Sequence, residues 1–306
     1  MPSDGFYIGK YKISGGILAP MAGYTDIAFR TLCKEYGAGL TVTEMVSVRG
    51  LVHDSKKTEL LMRIAPEETP SCVQLFGNDP DDFARAAALV DSDIIDINMG
   101  CPMPKIVKNG DGAALMKTPE TAGKIVRALV NATDKPITVK TRLGYYDGAA
   151  TVAELIQSVA QAGASAVAVH GRYAEQRYAG RAEFDGLAEI AAASRVPVIV
   201  NGDIADVRAA AGTPFAAVMI GRAALENPAV FCGGRAQPIA AARRHIELLR
   251  RYFDERYAVN QARKFFIHYF KGVDGARTLR AAVNVAESVK DVLTALDNMP
   301  AVDARK

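Results

Sequence analysis

The feature that most constrains this chain is a repeat of short apolar runs, each followed by a helical pattern, recurring from residue 17 to residue 220. The runs fall at 17–19, 40–43, 72–75, 94–97, 137–141, 166–169, 198–200 and 217–220. Runs this short, apolar throughout rather than alternating, read as strands buried on both faces, the habit of parallel sheets. Parallel neighbours need a crossover, and helical patterns fill the gaps. One is capped at Thr25, runs to Tyr36 and stops at Gly37; one opens at Asp79 and Pro80 and runs to 90; others cover 119–131, 152–162 (ended by Gly163), 184–193 and 206–211. Residues 47–63 read as a mixed connection. Eight such units predict an α/β fold, a (β/α)8 TIM barrel, which takes about 250 residues. A chain of 306 leaves room for an appendage. A Gly- and Pro-containing boundary at 233–238 precedes an all-helical pattern over 239–296, so the expected division is a barrel domain at 1–234 and a small C-terminal helical domain at 235–306.

Apolar residues make up 49% of the sequence, enough for a large core, yet no run of about 18 apolar residues occurs and residues 1–10 are polar. A soluble cytoplasmic protein without membrane association is expected. Cys33, Cys72, Cys101 and Cys232 form no Cys-x-x-Cys pair, which suggests neither a metal centre nor a disulfide framework. The net charge of +3 is unevenly spread: residues 235–306 hold 14 Lys/Arg against 8 Asp/Glu, and residues 1–234 hold 23 against 26. A basic helical segment is either a solvated face or a phosphate-binding one.

The ends of the runs carry Pro20 and Met21, Gln74, Asn98, Lys140 and Arg142, His170, Asn201 and Asp203, and Gly221 and Arg222. In a barrel these converge on the C-terminal face, where the chemistry of such folds resides. The loops after the seventh and eighth strands, NGDI and GRAAL, fit the barrel's usual phosphate site, with glycine N–H groups and the Arg222 guanidinium as donors. Lys140 and Arg142 leave the same face of one strand, a pairing that calls for an anion. Gln74 offers a donor and an acceptor to a ring edge, or else ties neighbouring strands; His170 is a ligand contact or a structural bond. Cys101 follows the fourth strand, between Gly100 and Pro102, where a reacting side chain belongs.

Taken together, APMAGYTD (19–26), VQLFG (73–77), INMGCPMPKIVKNGDGAALM (97–116), VKTRLG (139–144), VHGR (169–172), NGD (201–203), IGRAALENP (220–228) and RKFFIHYFKGVDGARTLRAAVN (263–284) resemble the tRNA-dihydrouridine synthases. The matches run in order along nearly the whole chain. The resemblance implies an FMN enzyme that reduces the C5–C6 double bond of uridines in tRNA, with NADPH as electron source. It implies that Pro20, Met21 and Ala22 line the flavin, that Gln74 and Lys140 bond its polar edge, and that His170 lies against it. Asn201, Gly202, Asp203, Gly221 and Arg222 would hold its ribityl and phosphate groups. Asn98 and Arg142 would bind the uracil, and Cys101 would be the acid, since a thiol with a pKa of about 8.5 is mostly protonated at neutral pH. Arg263, Lys264, Lys271, Arg277 and Arg280 are the candidate phosphate contacts of the helical domain, and Phe266, Tyr269 and Phe270 its core. A monomer engaging one tRNA is expected. The chain departs from the family's pattern in lacking Trp, with Ala229 after Asn227 and Pro228, and in carrying Tyr173 and Phe184 where Thr and Trp are common. Competing readings are a flavin barrel acting on a free pyrimidine, the same reduction on ribosomal RNA, an RNA-binding module without catalysis, and a phosphosugar barrel without flavin.

Overall fold

The computed structural model describes residues 5–53 and 55–300, so the ends of the two expected domains, 1–4 and 301–306, lie outside the described residues. Eight parallel strands close into a barrel: Ile17–Leu18, Leu40–Ser47, Ser71–Phe76, Ile94–Asn98, Ile137–Arg142, Ala166–His170, Val198–Asn201 and Ala217–Ile220. The eighth returns to the first through Met219 opposite Ile17 and Ile220 opposite Leu18. Each apolar run of the sequence is one of these strands.

Strand alternation sorts the side chains into two sets. Ile17, Ala19, Leu40, Val42, Cys72, Ile94, Ala166, Ala168, Ile199, Ala217 and Met219 form the cluster inside the barrel. Val73, Leu75, Ile95, Ile97, Val139, Val167, Val169, Val200 and Val218 face outward and join the helices in the main apolar cluster. Helix Pro119–Ala132 shows how they meet it, burying Ala122, Ile125, Val126 and Leu129 at helical spacing. Continuing the inward parity toward the C-terminal strand ends brings Gln74, Asp96, Asn98, Thr138, Lys140, Arg142, His170 and Asn201 into the barrel mouth, in register across neighbouring strands.

Three features depart from the sequence reading. Phe6–Ile8 and Tyr11–Ile13 pair as an antiparallel hairpin whose Ile8 and Ile13 join the interior cluster and close the barrel's N-terminal end. The second barrel strand extends to Ser47, and its register with the third shifts between Val42 and Met45, leaving Thr43 and Glu44 in a bulge. The first helix is Ile27–Glu35, capped by Asp26, which accepts from Phe29 N at 2.9 Å. Thr25 instead accepts from Met21 N at 3.0 Å and fixes the loop before the helix.

The C-terminal segment forms helices Pro238–Tyr252, Glu255–Tyr269, Ala276–Val285 and Val289–Asp297. The first two pack against helix Ile27–Glu35, with ring centroids of Phe29 and His245 at 5.6 Å and of Phe29 and Phe265 at 4.8 Å, and on each other, with His245 and Phe265 at 4.4 Å. Phe265, Phe266, Tyr269 and Phe270 are buried in the apolar cluster that also covers the outside of the barrel. Burial pushes the His245 pKa down to about 3, so the ring stays neutral while Tyr269 Oη stands 3.0 Å from its Nδ1. Among the described residues, no helix is long and apolar enough to cross a membrane.

Arg30, on the first helix, is buried against Glu68, with Nε to Oε2 at 2.7 Å and Nη2 to Oε1 at 3.1 Å. Arg30 also donates to the carbonyls of Thr25 (2.7 Å) and Arg63 (2.5 Å), and Glu68 accepts from Thr41 Oγ1 (2.7 Å) and Ala65 N (2.9 Å). The pair thus ties the first helix to the second strand and to the segment leading into the third. Removing one partner leaves an uncompensated buried charge: Glu68→Ala should lower stability in urea unfolding by about 3–5 kcal/mol, and the double change Arg30→Met, Glu68→Leu should recover most of it.

Candidate active site

The floor of the barrel mouth is a line of side-chain bonds across four strands. Thr138 Oγ1 donates to Asp96 Oδ1 at 2.6 Å, Gln74 Nε2 to Asp96 Oδ2 at 2.7 Å, and Asn98 Nδ2 to Gln74 Oε1 at 2.8 Å. The line begins at the bulge, where Thr43 Oγ1 accepts from Gln74 N at 3.0 Å. It ends on the loop after the fourth strand, where Asn98 Oδ1 accepts from the N–H groups of Gly100 (3.2 Å) and Cys101 (2.9 Å). Asp96 is buried, and burial pushes its pKa up against the bonds from Gln74 and Thr138. Gln74 therefore ties strands, and Asn98 positions the Cys101 loop.

The Cys101 loop is gripped from the other side by Arg142, whose Nε donates to Gly100 O at 2.9 Å. The same guanidinium reaches the carbonyls of Tyr173 (3.2 Å) and Arg177 (2.7 Å), so one side chain joins the loops after the fourth and sixth strands. Ala113 N closes the turn on Cys101 O at 3.0 Å. Gly112, at φ +60°, sits so close that a Cβ there would stand 2.8 Å from Cys101 O. Burial raises the thiol pKa from 9.0, and the Met103 N–H and the charges of Arg142 and Lys140 oppose it without winning. Cys101 is thus protonated at neutral pH, with cations at hand for the thiolate that loss of the proton would leave.

Opposite lies a cationic wall. Lys140 Nζ meets Asn201 Oδ1 at 3.1 Å, and Asn201 Nδ2 is fixed on Met219 O at 2.7 Å. Burial and then the Arg142 charge lower the Lys140 pKa to about 8. Arg172, which carried no role in the sequence reading, is the organising cation: its side chain, only 2% exposed, pairs with Asp203 through Nη2–Oδ2 at 2.5 Å and Nη1–Oδ1 at 3.1 Å. Arg222 Nη2 reaches Asp203 Oδ1 at 2.7 Å. Burial pulls the Asp203 pKa up, but bonds from Arg172 and Ala182 N and the charges of Arg172 and Arg222 hold it below the usual carboxylate range. Asp203 is non-glycine at φ +48°, a conformation sustained by those partners. The only sequence signal for Arg172 was its place two residues after His170, on the same face of the chain.

His170 stands between the two regions. Burial, then Lys140, Arg142, Arg172 and Arg222, push its pKa down to about 2, so it is neutral. Arg172 Nη1 lies 3.2 Å from its Nε2, and since a guanidinium can only donate, the ring proton belongs on Nδ1. Gly202, at φ +117°, packs where a Cβ would stand 2.7 Å from His170 Cδ2. At Gly221 a Cβ would make an ordinary contact, 3.5 Å from Met21 Sδ, so packing within the chain does not demand glycine there. Pro20, Met21 and Ala22 follow the first strand, Met21 lying beside Gly221, and the exposed Tyr178 ring lies 5.6 Å from the Arg142 guanidinium and 5.2 Å from that of Arg222.

The helical residues separate into two groups. Arg263 caps helix Ala276–Val285 through the carbonyls of Val283 (3.3 Å) and Ala286 (2.7 Å) and also bonds Asn260 Oδ1 (3.0 Å). Lys271 pairs with Glu226 at 2.7 Å, and Lys264 lies over the Tyr24 ring at 4.2 Å. Arg277 is exposed and Arg280 half-buried, on the outer helix. A separate crevice of about 690 Å³ opens at the opposite end of the barrel, lined by Lys10, Tyr11, Asp93 and Lys135 among others. In it Tyr11 Oη donates to Asp93 Oδ1 at 2.9 Å and Lys135 to the Val90 carbonyl, and the convergent strand-end groups are not there. Among the described residues no cluster suited to a metal ion occurs.

The model of the family described as Dihydrouridine synthase matches residues 17–304. A tRNA-dihydrouridine synthase B of Xanthomonas campestris pv. campestris is 39% identical over 306 residues, covering 92% of this chain and 91% of that protein. A probable tRNA-dihydrouridine synthase of Treponema pallidum is 39% identical over 299 residues, 88% of each chain. Among solved structures, histamine dehydrogenase from Rhizobium sp. 4-9 superposes with TM-score 0.54 at 15% identity over 79% of this chain and 50% of that one. Morphinone reductase in complex with tetrahydroNAD gives 0.53 at 11% over 76% and 90%. At such identities these two likenesses concern the barrel fold.

The geometry makes Asn98 the anchor of the thiol loop. Asn98→Ala should release two loop N–H groups, each bond contributing about 1 kcal/mol, and speed alkylation of Cys101 by iodoacetamide roughly tenfold at fixed pH. An unchanged alkylation rate would show that Arg142 alone holds the loop.

Proposed function

This chain belongs to the dihydrouridine synthase family, and we propose on that footing that its barrel mouth, with FMN bound, reduces the C5–C6 bond of uridines in tRNA to 5,6-dihydrouridine, NADPH being the ultimate reductant. The enzyme works in the cytoplasm as a monomer on one tRNA, with residues 1–234 as the FMN-binding barrel and 235–306 as the tRNA-binding helical domain. The observation that carries the reading is the half-buried, protonated thiol of Cys101, its loop held by Asn98, with Lys140 and Arg142 near by.

The residues present fit FMN. Lys140, Arg142, Arg172 and Arg222 all stand close to His170, and Asp203 pairs with only Arg172 and Arg222, an excess of positive charge suited to a phosphate. The missing side chain of Gly221 admits close backbone approach, and Gly202, Asn201 and Asp203 complete that side. Pro20, Met21 and Ala22 line the ring, Lys140 and Gln74 attend its polar edge, and neutral His170 lies against it with its Nδ1–H as donor. When bound, FMN supplies the hydride that goes to C6 of the uracil.

The protein's own part is proton delivery and placement. The S–H bond of Cys101 breaks as a C–H bond forms at C5; the electron pair stays on sulfur, and Lys140 and Arg142 stabilise the thiolate. Arg142 and Asn98 border the uracil and keep the thiol loop in place. A uridine within folded tRNA has to be unstacked at a cost of a few kcal/mol, which contacts of the helical domain offset. Arg277 and Arg280 are its phosphate contacts; Arg263 and Lys271 act chiefly within the protein.

Dihydrouridine should disappear from one or a few tRNA positions in a strain lacking the gene and return on complementation; if only ribosomal RNA changes, the substrate assignment fails. Cys101→Ala should retain FMN yet slow dihydrouridine formation by about 10²–10⁴-fold. Because the acid must carry its proton and its pKa lies above 9.0, the single-turnover rate should fall only as pH rises past that value. A decline already complete at neutral pH would sink the acid assignment. Reversing charge at Arg277 and Arg280 should weaken tRNA binding and reduce its salt slope by about two, with FMN content unchanged.

A further inference from the structure

Helix Glu255–Tyr269 reaches the loop after the first barrel strand with three side chains. Tyr257 Oη donates to Asp26 Oδ2 at 3.2 Å, His268 Nε2 stands 3.4 Å from Tyr24 Oη, and Lys264 Nζ lies 4.2 Å from the Tyr24 ring centroid. Lys264 is also the nearest atom to the open side of Gly23: a Cβ built there would stand 3.2 Å from Nζ. From the barrel side, Glu44 accepts a hydrogen bond from Gly23 N, and Glu44 comes from the bulge that re-aims the second strand. Gly23 and Tyr24 are therefore held between Glu44 beneath and Lys264 above.

The sequence pointed to Lys264 as a phosphate contact, and its surroundings argue otherwise. The ammonium is half-buried against a ring whose face attracts cations, and Glu44 and Asp26 are its charged neighbours. Burial lowers its pKa and those two carboxylates oppose the shift; a phosphate arriving there would meet both.

We propose that Lys264 is a positioning residue for the cofactor: by clamping Gly23 and Tyr24 onto Glu44 it fixes the 20–23 loop that lines the FMN, so the helical segment sets cofactor affinity. This rests on the proposed FMN site, and the two can fail separately.

The test compares the full-length holoenzyme with Lys264→Met, Lys264→Arg, Glu44→Gln and Tyr24→Leu, measuring FMN dissociation by recovery of free-flavin fluorescence, tRNA binding at several salt concentrations, and the thermal midpoint of the apo-protein. Lys264→Met should raise the FMN dissociation constant about 5- to 30-fold, the range for a partly desolvated cation–ring contact. The arginine variant should retain affinity, and tRNA affinity and its salt slope should stay unchanged. Because the groups share one contact, Lys264→Met with Glu44→Gln should cost less than the two single changes combined. Tyr24→Leu removes the ring from the barrel side and should reproduce the loss even if Lys264→Met folds poorly. Weaker tRNA binding with a shallower salt slope and unaltered FMN affinity would overturn the proposal in favour of a phosphate contact. Equal FMN affinity in all variants would overturn it as well, and a wild-type protein that binds no FMN would remove the reading beneath it.

Discussion

The bond from Asn98 Nδ2 to Gln74 Oε1, 2.8 Å long, joins the wall of the barrel to the loop that carries the acid. Asn98 is the last residue of its strand, so its side chain belongs to the regular interior while its backbone leads into irregular structure. With its amide committed to Gln74, its carbonyl oxygen is oriented toward two loop N–H groups that would otherwise lack partners. The sheet's precision is thereby passed to Cys101. Arg142 completes the hold from the next strand, and the missing Cβ of Gly112 lets the loop fold back on itself. What the chemistry needs, a thiol that stays protonated close to cations, results from burial outweighing charge at that one position.

The mouth is divided electrostatically. On one side a buried carboxyl, Asp96, is shielded by Gln74 and Thr138; on the other, Arg172, Arg222 and Lys140 gather around Asp203 and Asn201. His170 separates them and stays neutral because burial, and then the charges of Lys140, Arg142, Arg172 and Arg222, disfavour its protonation. A neutral ring there keeps one more cation from the wall while still accepting from Arg172.

The eight strands were legible because a parallel barrel buries both faces of each strand and so leaves uninterrupted apolar runs. The hairpin at 6–13 was not: its three-residue strands are too short for a periodicity, and Lys10 and Lys12 conceal the inward Ile8 and Ile13. The polar residues at the strand ends were found, and the structure brings them together at the mouth. Their mutual bonds could not be read, since sequence shows which side chains converge but not which of them pair. Asn98, Asp203, Arg263 and Lys264 read as facing a ligand and Gln74 as facing one or tying strands, and each is engaged at least partly with the protein itself. Arg172 escaped notice because a buried arginine is recognisable only from its acceptors, and three of these, Ala179, Gly180 and Asp203, lie seven or more residues away in sequence.

The closure of the barrel also orders events in time. Ile8 and Ile13 leave the ribosome long before Ala217, part of the surface they cover, and the strand they precede gains one of its two neighbours only when Met219 and Ile220 arrive. A two-residue strand with a single partner has little to hold it. The hairpin therefore waits, apolar side chains exposed, until some two hundred further residues have been synthesised, and for that interval it is a natural client for whatever shields nascent chains from aggregation.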